Sequence, residues 1–296
     1  HFGVWHPAAG GTCPNARVSQ MFDVLNKVTL DAIIAPKENG ERALAAAHFA
    51  HLKAGDLVLL DRGYPAFWLF ALILKQNAHF CARMKLGSWT IVKQFVASGL
   101  CEQTVSLKPN PSAVKECKAR KLSEKPLTLR LIRVELDTGE IEVLITSLLD
   151  VVRYPVSVFK ELYQYRWPVE EDYKALKSRI EVENWSGLSV LTIYQDFHAK
   201  VFTKNLTTLL TRSAQKIVEH ESQNKKLDYQ INMTNAFSKM KDTFVLLLQR
   251  ATILPLLEKL WQLMIKTIEP IRPGRSFPRI KRVKPRKFAV SYKPIR

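Results

Sequence analysis

The sequence predicts an α/β fold, and three observations carry the prediction. The first 85 residues alternate in the order strand, strand, helix, strand, helix, strand. A short apolar run, Asp56–Leu60, stops at Asp61-Arg62-Gly63-Tyr64, as a buried strand feeding a loop does. Beyond Val156 the apolar residues recur at helical spacing.

Taken in order, Ala16–Asn26 and Val28–Pro36 are rich in apolar and β-branched residues, and the polar joint Asn26-Lys27 makes them a hairpin. Asn39–Leu52 is Ala-rich and predicts a helix with Asn39 as its N-cap. After the strand Asp56–Leu60, Pro65–Gln76 predicts a helix with proline in its first turn, and His79–Lys85 another strand. From Leu86 to Asp150 the pattern changes. Thr104–Lys108, Leu127–Leu136 and Glu140–Ser147 are strand-like, Asp137-Thr138-Gly139 is a turn signal, and the basic stretch Lys115–Lys125 joins them. This predicts an all-β insertion. Asp196–Gln215 and Asn235–Ile268 then predict helices, the second interrupted at Pro255. The expected divisions are 1–85 for the first part of the core, 86–150 for the insertion, 151–270 for the helices, and 271–296 for a tail.

That tail is chemically distinct. Arg272–Arg296 holds ten Lys/Arg, no acidic residue and four prolines, so it predicts an extended arm. It supplies +10 of a net charge of +18 over 296 residues. Such an excess calls for an anionic partner, and nucleic acid, with its dense phosphate charge, is the first choice. Arg275, Arg279, Lys281 and Arg282 are its expected DNA contacts, each neutralised phosphate releasing counterions. A merely solubilising tail is the plainer alternative.

Other classes fall away. The longest stretches without a charged side chain, the polar N-terminus and Gly63–Leu74, fall short of the roughly 18–20 residues a membrane span needs, and no basic segment followed by an apolar core opens the chain as a secretory signal would. The four cysteines, Cys13, Cys81, Cys101 and Cys117, lack zinc-ligand spacing and are expected to be reduced thiols in a cytoplasmic protein. His48 and His51 are expected to be structural. The chain starts at His1 inside a Gly- and Pro-rich segment without periodicity, which is the expectation for a fragment.

The stretch Tyr163–Lys177, YQYRWPVEEDYKALK, carries the most chemistry. Tyr163, Arg166, Glu170 and Lys177 stand at offsets 0, 3, 7 and 14, within a sector of about 60° on one helix face. A stripe with one hydroxyl, two cations and one carboxylate is no core face. It suits a helix that presses a metal-binding carboxylate and phosphate-gripping cations against a nucleic-acid backbone. An exposed helix with an Arg166–Glu170 surface ion pair has the same spacing. Pro168 leaves two geometries open: a kinked helix, or one that starts at Pro168 with Tyr163 and Arg166 on the preceding turn.

Asp61, at the C-terminal end of an apolar strand, sits where α/β sheets place ligands and metals, although a loop-capping aspartate would also fit. Together Asp61 and Glu170 offer the hard oxygen ligands a divalent cation takes, and Mg²⁺ keeps several waters, so few protein ligands suffice.

The Tyr-x2-Arg-x3-Glu-x6-Lys spacing, with Asp61-Arg62-Gly63-Tyr64 about a hundred residues upstream, resembles the DDE transposases of bacterial insertion sequences. The nearest likeness is to the group named after insertion sequence 4, over most of the chain. The resemblance implies a ribonuclease-H-like core with a β insertion before the last catalytic helix and a helical, basic C-terminal region. It implies that Asp61 and Glu170 match the second and third catalytic carboxylates and bind Mg²⁺ or Mn²⁺. Tyr163, Arg166 and Lys177 then match residues that grip phosphates, and Arg62 joins them as a DNA contact. The partner implied is double-stranded DNA, as transposon ends and as target, held by a homodimer. The chemistry implied is nicking at the ends, followed by attack of the freed 3′-hydroxyl on target DNA. The first catalytic Asp belongs to a strand ahead of Ala16, before His1. Asp23 and Asp31, on later strands, do not replace it, so the 296-residue chain is expected to be inactive by itself. A DNA-binding remnant, a metal-dependent nuclease and an RNA-directed enzyme are the alternatives. Of the tryptophans, Trp89 is the one expected to meet DNA, the rest being packing residues.

Overall fold

The computed structural model describes residues 1–5, 13–187, 189–249 and 251–272. Arg275, Arg279, Lys281 and Arg282, and the arm that carries them, lie outside the described residues. The elements in chain order are β1 (Val4–Trp5), β2 (Cys13–Pro14), β3 (Ala16–Asp23), β4 (Val28–Pro36), α1 (Glu41–His48), β5 (Leu57–Leu60), α2 (Phe67–Lys75) and β6 (His79–Met84). Next come α3 (Thr90–Ser98), β7 (Glu102–Leu107), α4 (Pro111–Ala119), β8 (Leu127–Glu135), β9 (Ile141–Thr146), α5 (Val158–Gln164) and α6 (Pro168–Ser178). The remainder is α7 (Val190–Glu221), β10 (Tyr229–Ile231), α8 (Met233–Gln249), α9 (Leu254–Ile265) and β11 (Ile268–Pro270). The chain is thus a mixed α/β protein. Among the described residues no helix is long and apolar enough to cross a membrane.

It divides into two compact units, one of Ser19–Val24 with Glu38–Glu170, the other of His1–Val18, Leu25–Lys37 and Glu171–Arg296. The first is built on a five-stranded sheet of order β5-β6-β9-β8-β7. β5 and β6 run parallel and the other neighbours antiparallel. Since side chains alternate across a sheet, the register sorts its residues into two faces. Leu60, Phe80, Ala82, Met84, Val143, Ile145, Leu129 and Leu131 face a core closed by α2, with Val92 and Phe95 of α3. Cys81, Leu144, Ile132 and Val134, with Leu57 and Leu59, face a second core closed by Phe159 and Tyr163 of α5. Arg130, almost wholly buried, helps hold α5 in place: its Nη1 donates to the Tyr154 carbonyl at 2.7 Å and its guanidinium lies over the Phe159 ring.

This corrects the expectation of an all-β insertion. Leu86–Asp150 contains α3 and α4, and its strands extend the sheet of β5 and β6. The β-branched content of Thr90–Ser98 disguised α3, which buries Val92 and Phe95 at a helical i,i+3 spacing and ends where Gly99 takes a left-handed φ of 69°. For α4 the signal was present. Asn110 accepts from the Ala113 N–H at 2.8 Å and Pro111 fills the first turn.

Smaller differences have local causes. Gly40, in place of Asn39, is the N-cap of α1. Pro65 precedes α2, because the turn closed by the Tyr64 N–H on the Asp61 carbonyl occupies Asp61–Tyr64. Pro255 lies in the first turn of α9, where its missing N–H costs nothing.

In the other unit, Ala32 and Ile34 of β4, Leu176 of α6 and Phe197 and Val201 of α7 form a core with Phe2. A second cluster joins Ala214 and Val218 to Met240, Leu260 and Met264 of α8 and α9. Beside the first, Lys204 is fully buried, its Nζ 2.6 Å from both oxygens of Asp172 and from the Thr29 hydroxyl. Burial pulls its pKa down and Asp172 pulls it back up, with a net lowering. A buried ammonium is tolerated because it is paired.

Candidate active site

The site grows from sheet register. β5 and β6 are parallel with Leu60 beside Ala82, so one residue further on Asp61 comes beside Arg83. Both follow the alternation of Leu59 and Cys81 and so belong to the face that α5 covers. The Arg83 Nη2 lies 3.2 Å from Asp61 Oδ1, and its Nη1 binds Glu142 Oε1. Glu142 stands on this face too, two residues before Leu144, the antiparallel partner of Arg83. Burial alone would lower the Arg83 pKa, but the hydrogen bond and charge of Glu142, with Asp61, leave it raised and the guanidinium charged. Asp61 Oδ1 also accepts the Arg62 N–H at 2.7 Å.

Glu170 arrives on a different element. α5 ends at Gln164 and α6 starts at Pro168, with 165–167 as a tight turn between them. The N–H groups of Arg166, Trp167 and Glu170 donate to the carbonyls of Tyr163, Gln164 and Trp167, three residues back in each case. The helix thus starts at Pro168 with Arg166 on the preceding turn, as the second of the two geometries had it, but Tyr163 stands on α5 and the single helical stripe is not found. Arg166 Nη1 donates to Glu170 Oε1 at 2.8 Å, and the guanidinium lies over the Trp167 ring.

Tyr163 joins the two halves. Its hydroxyl donates to the Leu60 carbonyl at 3.1 Å, tying the end of α5, just before the turn that carries Arg166, to the residue before Asp61. Burial raises the phenol's pKa, Arg166 lowers it and Asp61 raises it, with a net rise, so the hydroxyl stays protonated. This differs from the expected phosphate-gripping tyrosine. Tyr163 is only 5% exposed and its proton is committed to the backbone. Arg166, at 8% exposed, is likewise buried beside Glu170, and the surface ion pair expected as the alternative is a buried one on its arginine side. Arg62 and Lys177 are exposed, and Lys177 lies two turns beyond Glu170 along α6.

The two carboxylates share one pattern. Each has one oxygen held by an arginine, Arg83 for Asp61 and Arg166 for Glu170. Their side chains are 39% and 36% exposed, and Asp61 Oδ2 and Glu170 Oε2 have no protein partner among the described residues. Among those residues no group of three or more His, Cys, Asp or Glu could hold a metal ion. An open carboxylate oxygen is the hard ligand type that a divalent cation takes, and Mg²⁺ keeps most of its water. The buried Nε atoms of Arg83 and Arg166 have no partner among the described residues, leaving a spare donor beside each carboxylate.

Arg83 and Glu142 escaped the sequence reading, although the signal was available. Each is a lone charge in an otherwise apolar strand, HFCARM and IEVLIT. His48, expected to be structural, is buried with its Nε2 2.9 Å from the Ser19 hydroxyl.

Residues 1–205 match the protein family described as "Transposase DDE domain". The chain is also similar to the transposase InsG for insertion sequence element IS4 of Escherichia coli (strain K12), with 23% identity over 170 residues. That likeness covers 57% of this chain, and the chain spans about 37% of the length of that relative.

Proposed function

The chain belongs to the DDE transposase domain family, and on that premise we propose that it carries part of a metal-dependent active site for DNA transposition. Asp61 and Glu170 hold Mg²⁺ or Mn²⁺, each through the oxygen its arginine leaves open. Such a cation would polarise a phosphodiester and lower the pKa of a bound water. The observation that carries the reading is the bond from the Tyr163 hydroxyl to the Leu60 carbonyl, which ties the end of α5, seven residues before Glu170, to the strand end bearing Asp61.

The protein's own groups have distinct tasks in this reading. Arg83 and Arg166 each hold one oxygen of a carboxylate and so orient it. Arg62 and Lys177, both exposed, neutralise backbone phosphates in this reading. The substrate is double-stranded DNA, as element ends and target, engaged by a homodimer in the bacterial cytoplasm. Arg275, Arg279, Lys281 and Arg282 add a sequence-independent tether. The reaction is hydrolytic cleavage at the ends and attack of the freed 3′-hydroxyl on a target phosphodiester, whose own 3′-oxygen leaves. The mixed sheet, with its parallel β5 and β6, supports a ribonuclease-H-like core that β7, β8 and β9 extend.

Mn²⁺ binding, read by electron paramagnetic resonance, tests the site. The chain is expected to bind Mn²⁺, and Asp61→Asn and Glu170→Gln are each expected to weaken binding at least tenfold. Unchanged binding in both variants would sink the assignment. Supplying precleaved ends and a target plasmid separates a transposase from a nuclease, because only a transposase gives joined product.

A further inference from the structure

Two adjoining cavities of about 630 and 130 Å³ open beside the Asp61–Gly63 turn, and Arg42 and Trp89 line both. Together they form a groove. The larger has the size of a small-molecule or cofactor site, roughly 300–1,000 Å³. The smaller reaches Arg62 and Lys85, and the larger reaches Lys108 at the far end. Arg42 Nε donates to the Gly63 carbonyl at 3.1 Å, which fixes the groove's near end against the loop carrying Asp61.

The lining has one sign of charge. Arg42, Arg62, Lys85 and Lys108 are all exposed. Glu116 is the one acidic lining residue, and Arg120 answers its charge at 3.2 Å. Trp89 stands half-buried where the two cavities meet, its ring packed edge-on to Phe70. Four cations with an aromatic face between them suit a polyanion whose planar groups are free to stack. A duplex does not qualify, because its bases are already stacked on one another and reach an aromatic face only when unstacked.

We propose that this groove binds an unpaired DNA strand, with phosphates on Arg42, Arg62, Lys85 and Lys108 and a base stacked on Trp89. The choice of DNA over RNA rests on the transposase reading above. The groove itself does not depend on the metal site. Stacking on one aromatic side chain with a cationic groove along the backbone is how single strands are held without sequence preference.

Fluorescence anisotropy of the 296-residue chain tests this, with labelled oligodeoxythymidylate of about ten nucleotides, in EDTA and at moderate salt to suppress the tail's contribution. Trp89→Ala is expected to weaken binding about tenfold, and Lys108→Glu, at an exposed position that spares the fold, by a similar factor. A blunt duplex is expected to compete poorly. Wild-type affinity in Lys108→Glu, equal competition by the duplex, or equal binding of oligouridylate would each overturn the assignment. Because the assay contains no metal, its failure leaves Mn²⁺ binding at Asp61 and Glu170 standing, and failure of that binding leaves the groove standing.

Discussion

The Tyr163 hydroxyl donates to the carbonyl of Leu60, 103 residues earlier and one residue before Asp61. A side chain whose family counterpart is expected to meet phosphate is, in this fold, a fastener between helix α5 and the end of strand β5. Tyr163→Phe removes the donor and strands a buried carbonyl, at a cost of about 1–3 kcal/mol. Urea unfolding should report that loss, while duplex affinity in EDTA stays within twofold of the unmodified chain. A large drop in affinity with unchanged stability would return Tyr163 to the DNA.

Arg83 competes with any cation for Asp61. Arg83→Gln is expected to tighten Mn²⁺ binding by on the order of 1 kcal/mol, roughly fivefold, by removing a neighbouring positive charge. The same change should destabilise the fold by about 2 kcal/mol, because Glu142 and Asp61 lose charged hydrogen bonds. Titration of Mn²⁺ into the variant decides the first point, and weaker binding would mean that Arg83 instead shapes the site.

Lys204 and Asp172 form a buried pair. Lys204→Met leaves a buried carboxylate unanswered and should cost about 3–5 kcal/mol, whereas the double change Lys204→Met with Asp172→Leu should recover most of it. Thermal unfolding of the set checks this through the coupling energy.

The thiols give a pH test. Burial raises Cys81 to about 12. A raised thiol pKa favours the protonated folded form, so this contribution is whole below the unfolded value near 9 and disappears as pH climbs towards 12. Cys117 is also raised, by burial and then by Glu124 and Glu116, whereas Cys101 is exposed. At pH 8, iodoacetamide with peptide mapping should label Cys101 and spare Cys81 and Cys117. Rapid labelling of Cys81 would contradict its packing under α5.

Local patterning foretold the order of the first strands and helices, because β3, β4, α1, β5, α2 and β6 each carry one clear period. The helices between Leu86 and Asp150 were hidden, since Thr90–Ser98 is composed like a strand and only its buried partners make it helical. Asp61 and Glu170 were singled out as candidates by residue type and spacing. Arg83 and Glu142 showed only as lone charges in apolar strands, because their meeting depends on a parallel and an antiparallel register that local patterns do not encode. For Arg166 the sequence left two geometries open, and only the turn before Pro168, which folds it over Glu170, decides between them.

The two faces of strand β6 impose a parity rule on anyone redesigning this protein. Even-numbered positions 80, 82 and 84 answer to the packing of oily side chains, and odd positions 81 and 83 answer to the chemistry above Tyr163. One residue added inside the strand would exchange the two vocabularies, carrying a guanidinium onto the face of Phe80, Ala82 and Met84.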